Sequence, residues 1–174
     1  MSIMNGIQHP DLYYIGDSNW QNNYGYYNLW SADNTVIGAY SLGNDNPVVK
    51  TVYDPCPVGF KMPASNAFTG FTANGKNIGA MNVDGTDTRD TFLNNFGHNF
   101  WTSSSKTATI YFPSLGFRSY PDGSLRDVGN HGAYWSALPI NISRGCILGS
   151  NWYSLQPKSD EIRTCGLSVR PVSE

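Results

Sequence analysis

Charge is scarce in this chain. Charged residues fill only 14% of its 174 positions, against about 25% in an average soluble domain. With 11 Lys and Arg against 13 Asp and Glu, the formal charge is -2 and no basic stripe forms. The electrostatic footprint of a nucleic-acid binder is therefore missing, and no nucleic-acid partner is expected. No run approaches the roughly 18 consecutive apolar residues of a membrane-spanning helix, so direct membrane insertion is not expected either. Three cysteines, Cys56, Cys146 and Cys165, leave at least one thiol unpaired within the chain and exclude a dense disulfide framework. Catalytic signatures are missing too. His9, His98 and His131 stand far apart with no HExxH or GxSxG context, so a nucleophile, base and orienting partner are not legible together. The expectation is no enzymatic activity and no cofactor. The start Met1-Ser2-Ile3-Met4-Asn5 has neither the basic nor the apolar region of a signal peptide, which taken literally means cytoplasm. The composition favours a piece of a longer exported protein, extracellular or held at the cell surface.

What replaces charge is uncharged polarity and aromatic surface. Aromatics reach 14%, with 11 Tyr and 5 Trp, while Asn, Ser and Gly number 18 each. Asn and Ser bond nearby backbone and Gly accepts positive φ, so these residues build turns and loops. The length fits one domain, residues 1–174, and a fold of this size buries roughly 70% of its unfolded surface without staples.

Gly, Pro and Asn punctuate almost every ten residues, which breaks long helical periodicity. Two short helices are expected. Residues 64–71 follow Pro63 with Ser65 as a cap, and residues 87–96 offer Thr88 or Asp90 near the start with Phe92, Leu93 and Phe96 on one face. Strands are expected at residues 12–15, 48–53, 109–112, 133–136, 146–150 and 166–172, each bounded by turn residues. The fold class is α+β with irregular loops. Asp54-Pro55-Cys56-Pro57 reads as a rigid turn that feeds Phe60 into the core, with Cys56 as a small buried hydrophobe. Tyr120-Pro121-Asp122-Gly123-Ser124 reads as a hairpin turn. Residues 70–87, rich in Gly, Asn and Thr, read as a flexible insertion. Period-two alternation over residues 168–172 suggests a closing strand paired with residues 13–15.

Four segments together carry a resemblance: Thr51-Val52-Tyr53-Asp54-Pro55-Cys56-Pro57-Val58-Gly59-Phe60-Lys61-Met62-Pro63, Ile110-Tyr111-Phe112-Pro113-Ser114-Leu115-Gly116-Phe117-Arg118, Gly132-Ala133-Tyr134-Trp135-Ser136 and Arg163-Thr164-Cys165-Gly166-Leu167-Ser168-Val169-Arg170-Pro171-Val172. In this order they resemble the major paralogous and fimbrillin C-terminal domains of Bacteroidales surface proteins. The resemblance implies a C-type-lectin-like fold, related at a distance to formylglycine-generating enzymes and to the variable proteins of diversity-generating retroelements. It also implies a role in recognition, as a domain of a surface adhesin or pilus tip that engages a protein or glycan ligand on a host or bacterial surface. A phage tail receptor-binding domain is the alternative within the same fold. An oxidase using copper on Cys146 and Cys165 is the alternative of another class, although their context departs from that site.

Calcium-mediated sugar binding, known in such folds, is disfavoured by the residues. Gln156-Pro157 is followed by Lys158, which would set a positive charge against the cation, and Asn151-Trp152 stands in the wrong order for the partner strand. Asp84, Asp87 and Asp90 lack the spacing and final Glu of an EF-hand loop. No metal ligand is expected. Asn141-Ile142-Ser143 fits a glycosylation sequon and so belongs at the surface.

The candidate ligand-binding residues fall between Ala137 and Cys165. There the chain departs from the family pattern by inserting large or charged residues, while Leu148, Leu155, Pro157, Arg163 and Gly166 keep it. Leu138, Ile140, Ile142, Arg144, Ile147, Asn151, Trp152, Tyr153, Asp160 and Ile162 are the candidates. On a strand Ile147 and Asn151 point away from Leu148 and Ser150, so the expectation is one outward patch opposite the core. The alternative is that these residues repack a local core.

Overall fold

The computed structural model describes residues 8–9, 11–14, 30–32, 47–84, 89–141 and 143–174. Among them the chain forms β1 (Phe60–Lys61), a 3-10 turn (Thr69–Phe71), α1 (Arg89–Asn95), β2 (Gly97–Trp101), β3 (Thr109–Pro113), β4 (Phe117–Arg118), β5 (Leu125–Arg126), β6 (Gly132–Pro139), β7 (Arg144–Asn151), β8 (Ser154–Ile162) and β9 (Val172–Ser173). Three two-stranded ladders pair β1 with β9, β2 with β3 and β4 with β5, and one three-stranded sheet runs β6-β7-β8. All these pairings are antiparallel. Small antiparallel strands dominate, so a mixed α+β class fits only loosely.

The three-stranded sheet is the centre of the molecule because it is covered on both faces. Tyr134 pairs with Leu148, and their neighbours Trp135 and Ile147 pair with each other. Successive side chains point to opposite faces. Trp135 and Ile147 thus join Val48, Cys56 and Met62 in one buried cluster, while Tyr134 and Leu148 join Phe68, Phe100, Phe112 and Leu155 in another. The second cluster is largely aromatic. Phe71 stacks on Phe100 at 4.2 Å between ring centroids, and Phe112 meets Phe71 and Tyr134 edge-on. Such pairs add about 0.5–1.5 kcal/mol beyond their buried area. Tyr134 keeps its hydroxyl satisfied by donating to the Pro113 carbonyl at 2.5 Å, and burial pushes its pKa up to about 12.

Close backbone approaches fix two glycines. A Cβ on Gly145 would lie 2.8 Å from the Trp135 ring, and one on Gly116, which has φ +68, would lie 2.1 Å from the Arg126 carbonyl.

The Asp54-Pro55-Cys56-Pro57 turn is held through its carboxylate. Asp54 accepts from the Cys56 N–H at 2.8 Å and from the Met62 N–H at 2.9 Å, with Lys50 Nζ 3.3 Å away. Lys50 in turn donates to the carbonyls of Cys56 and Phe60. Burial alone would raise the Asp54 pKa, but the two N–H donors and Lys50 outweigh it and hold the carboxyl below its ordinary range. Cys56 is buried as expected, and burial together with the adjacent Asp54 pushes its thiol to about 11. Phe60 does not enter the core. It stays 46% exposed, and the fully buried residue delivered by the turn is Met62.

Several other expectations are corrected. Residues 64–71 form turns ending in the 3-10 turn, not a helix. The second helix exists as α1, but only Phe92 of the expected apolar face is buried, with Leu93 and Phe96 exposed; Asp87 and Thr88 lie outside the described residues. Residues 12–14 form no strand, and Ile15 lies outside the described residues. The closing strand pairs with β1 instead, and Tyr13 reaches that part of the chain through its side chain, donating to the Thr164 carbonyl at 2.8 Å. Residues 48–53 contribute a single bridge, Ser31 to Lys50, and residues 166–172 give bridges at Gly166 and Ser168 before β9. The described part of the 70–87 segment is tied to the fold at its two ends, while residues 73–76 and 78–80 between them are exposed. Thr72 bridges Met81, Val83 bridges Phe100, and Phe71, Met81 and Val83 pack on the second cluster. The hairpin around residues 120–124 forms as expected, joining β4 to β5. No helix among the described residues is long and apolar enough to cross a membrane.

Candidate functional site

The hairpin of β7 and β8 carries most of the candidate residues, and its two ends differ. At one end Asn151 closes a two-residue turn, because its Oδ1 accepts from the N–H groups of Tyr153 at 3.1 Å and Ser154 at 2.9 Å. Asn favours such turns by this side-chain route. The turn leaves Trp152 40% and Tyr153 66% exposed, with their rings edge to face at 4.9 Å.

At the other end Asn141 plays the same part. Its Oδ1 accepts from the N–H groups of Ser143 and Arg144, each at 2.9 Å. Arg144 then donates to Asp160 at 2.7 Å across the hairpin, beside Ile162, its partner in register. Asn141 is half-buried in this turn.

The ten candidates therefore do not make one outward patch. Ile147 is buried in the first cluster, and Leu138 and Ile140 are buried with Cys146 in a small third cluster. Both faces of β7 are covered, so pointing away from Leu148 does not mean pointing at solvent. Asn151, Trp152 and Tyr153 stay together at one end, and Arg144, Asp160 and Ile162 at the other. Arg144 and Asn151 are the two ends of β7, seven steps along the strand and so roughly 23 Å apart at ~3.3 Å per residue. Ile142 lies outside the described residues.

One residue that supports the tip carries no motif. His98 on β2 is 2% exposed, packs against Phe92 and Phe100 at 4.7 and 5.5 Å, and places Nε2 2.9 Å from the Asn151 carbonyl. The only sequence signal for it is the alternation Gly97-His98-Asn99-Phe100, which puts His98 on the same buried face as Phe100. His131 is a half-buried loop residue whose ring meets Phe117 edge-on.

The other candidate chemistries gain little. None of the three buried cysteines forms a disulfide, and burial, followed by the nearby Glu161, raises the Cys165 pKa, away from a thiolate. No group of three or more His, Cys, Asp or Glu side chains among the described residues is placed to hold a metal. Lys158 follows the buried Pro157, and its backbone N–H donates to Asn77 at 2.6 Å. No family model matches the chain, and no curated protein or solved structure is significantly similar to it.

Proposed function

We propose that the chain is a non-catalytic recognition domain with a C-type-lectin-like fold, carried on a bacterial surface adhesin or pilus tip and engaging a protein or glycan ligand. The observation that supports this reading is the Trp152–Tyr153 pair, two large aromatic residues exposed on a tight turn. Exposed aromatic anchors supply contact area with little rotamer entropy to lose, and Trp and Tyr are enriched among residues that dominate binding energy. The surface is smaller than the ten-residue patch read from the sequence. It centres on Asn151, Trp152 and Tyr153, and the Arg144–Asp160 end is too distant to share a small ligand with it.

The test is to screen the domain on printed glycan and protein arrays alongside Trp152→Ala, Tyr153→Ala and Trp135→Ala, with a thermal melt of each. The two tip variants should lose at least tenfold in binding while staying within about 0.5 kcal/mol of the parent stability, as exposed substitutions do. Trp135→Ala should cost about 3–5 kcal/mol. Tip variants that bind like the parent, or that unfold like Trp135→Ala, would sink the reading.

A further inference from the structure

We propose that His98 is a positioning residue for the Trp152–Tyr153 tip, holding it from a different sheet through the Asn151 main chain. The inference rests on the recognition role given to that tip. An imidazole at 2% exposure between two Phe rings is costly to bury unless its polar atoms are bonded. The bond that Nε2 makes crosses 53 residues of chain, from β2 to the residue that precedes Trp152. A carbonyl oxygen only accepts, so the Nε2 atom carries the proton and donates it.

Asn151 is thus fixed twice. Its side chain closes the turn onto the N–H groups of Tyr153 and Ser154, and its carbonyl is fastened to β2. The first contact sets the shape of the turn. The second sets where the turn sits relative to the aromatic cluster, because β2 belongs to the β2–β3 ladder and Asn151 to the central sheet. Pairing with β6 reaches only to Ser150, so at Asn151 the ladder partner is β8 alone, and the bond to His98 is what ties this last position to β2. A tip held in place before contact has less freedom to lose on binding, which preserves affinity.

Three measurements decide it. In the 15N spectrum of wild-type protein the His98 ring must show a protonated Nε2; an unprotonated Nε2 overturns the proposal without any variant. His98→Phe keeps a ring of similar size and removes the donor, whereas His98→Gln places an amide N–H near the same point. Amide exchange at Tyr153 and Ser154 should quicken at least tenfold in His98→Phe, with the Leu148 amide unchanged, and return toward wild type in His98→Gln. Unchanged exchange at 153 and 154 in a folded His98→Phe overturns the proposal, as does exchange in His98→Gln no slower than in His98→Phe. Should His98→Phe fail to fold, the ring protonation and near-wild-type exchange in His98→Gln carry the decision, and failure of either overturns it. On the glycan and protein arrays, His98→Phe should lose binding in step with its loosened tip. If wild type binds no spot, the recognition reading falls, while amide exchange still judges what His98 holds.

Discussion

At the scale of single residues, Asp54 does more for the fold than its exposed neighbours. Its carboxylate accepts two backbone N–H groups and lies beside Lys50, so the turn that delivers Met62 to the core is organised by one charge. Asp54→Asn keeps one acceptor but turns an amide donor toward the Met62 or Cys56 N–H. Leaving a buried donor unsatisfied costs about 1–3 kcal/mol. The pH dependence has a definite sign. The folded-state pKa is lowered, so the carboxylate contributes stability above the unfolded value, near ~3.9, and loses it as pH falls through the folded value. Urea denaturation should find Asp54→Asn less stable than wild type at pH 7, with the gap closing as pH is lowered through about 4 and below. An unchanged gap at acid pH would show that the Asp54 charge is not what holds the turn.

Elements show where sequence patterns are informative and where they stop. The turn chemistry of residues 54–57 and 120–124 is legible because Pro, Asp and Gly act locally through their own backbone limits. Strand β8 is not, because Gln156-Pro157-Lys158-Ser159-Asp160-Glu161 is polar and contains a proline. It is an edge strand, and the pairing with β7 slips between Ile147 and Gly149, which face Ser159 and Gln156. Pro157 and Lys158 fall in that bulge, where a missing N–H does not break the ladder. The candidate site is half legible for a related reason. Alternation tells which side chains share a face of β7, but both faces are packed along its middle; of the described candidates Trp152 and Tyr153 are exposed, and Arg144, Asn151, Asp160 and Ile162 are half-buried. Pairing between β6 and β7 depends in turn on Gly145, which lies under the Trp135 ring. Gly145→Ala should cost about 1–3 kcal/mol, because the ring has to shift in a packed core. Gly70→Ala, where an added Cβ meets nothing within 4 Å, should stay within about 0.5 kcal/mol. Thermal melts of the two variants compare them directly, and equal losses would mean that Trp135 yields without cost.

At the scale of the whole molecule, one sheet serves two cores, and this sets how the protein should unfold. Trp135 and Ile147 belong to the cluster that includes Met62, and Tyr134 and Leu148 to the aromatic cluster. Neither cluster can dissolve without stripping one face of β6 and β7. Losing one face exposes a strand pair whose other side still needs cover, so the two clusters should melt together, as in a two-state domain. Ile147→Ala and Leu148→Ala probe opposite faces of one strand at adjacent positions. Each removes buried methyl groups from a site at or below 2% exposure and should cost about 2–5 kcal/mol. For a domain of this length that lowers Tm by roughly 5–15 °C. Tryptophan fluorescence, which includes Trp135 in the first cluster, and far-UV circular dichroism should then trace superimposable curves in wild type and in both variants. A variant in which one probe melts ahead of the other would mean that the clusters are separate cooperative units, and that the central sheet does not couple them.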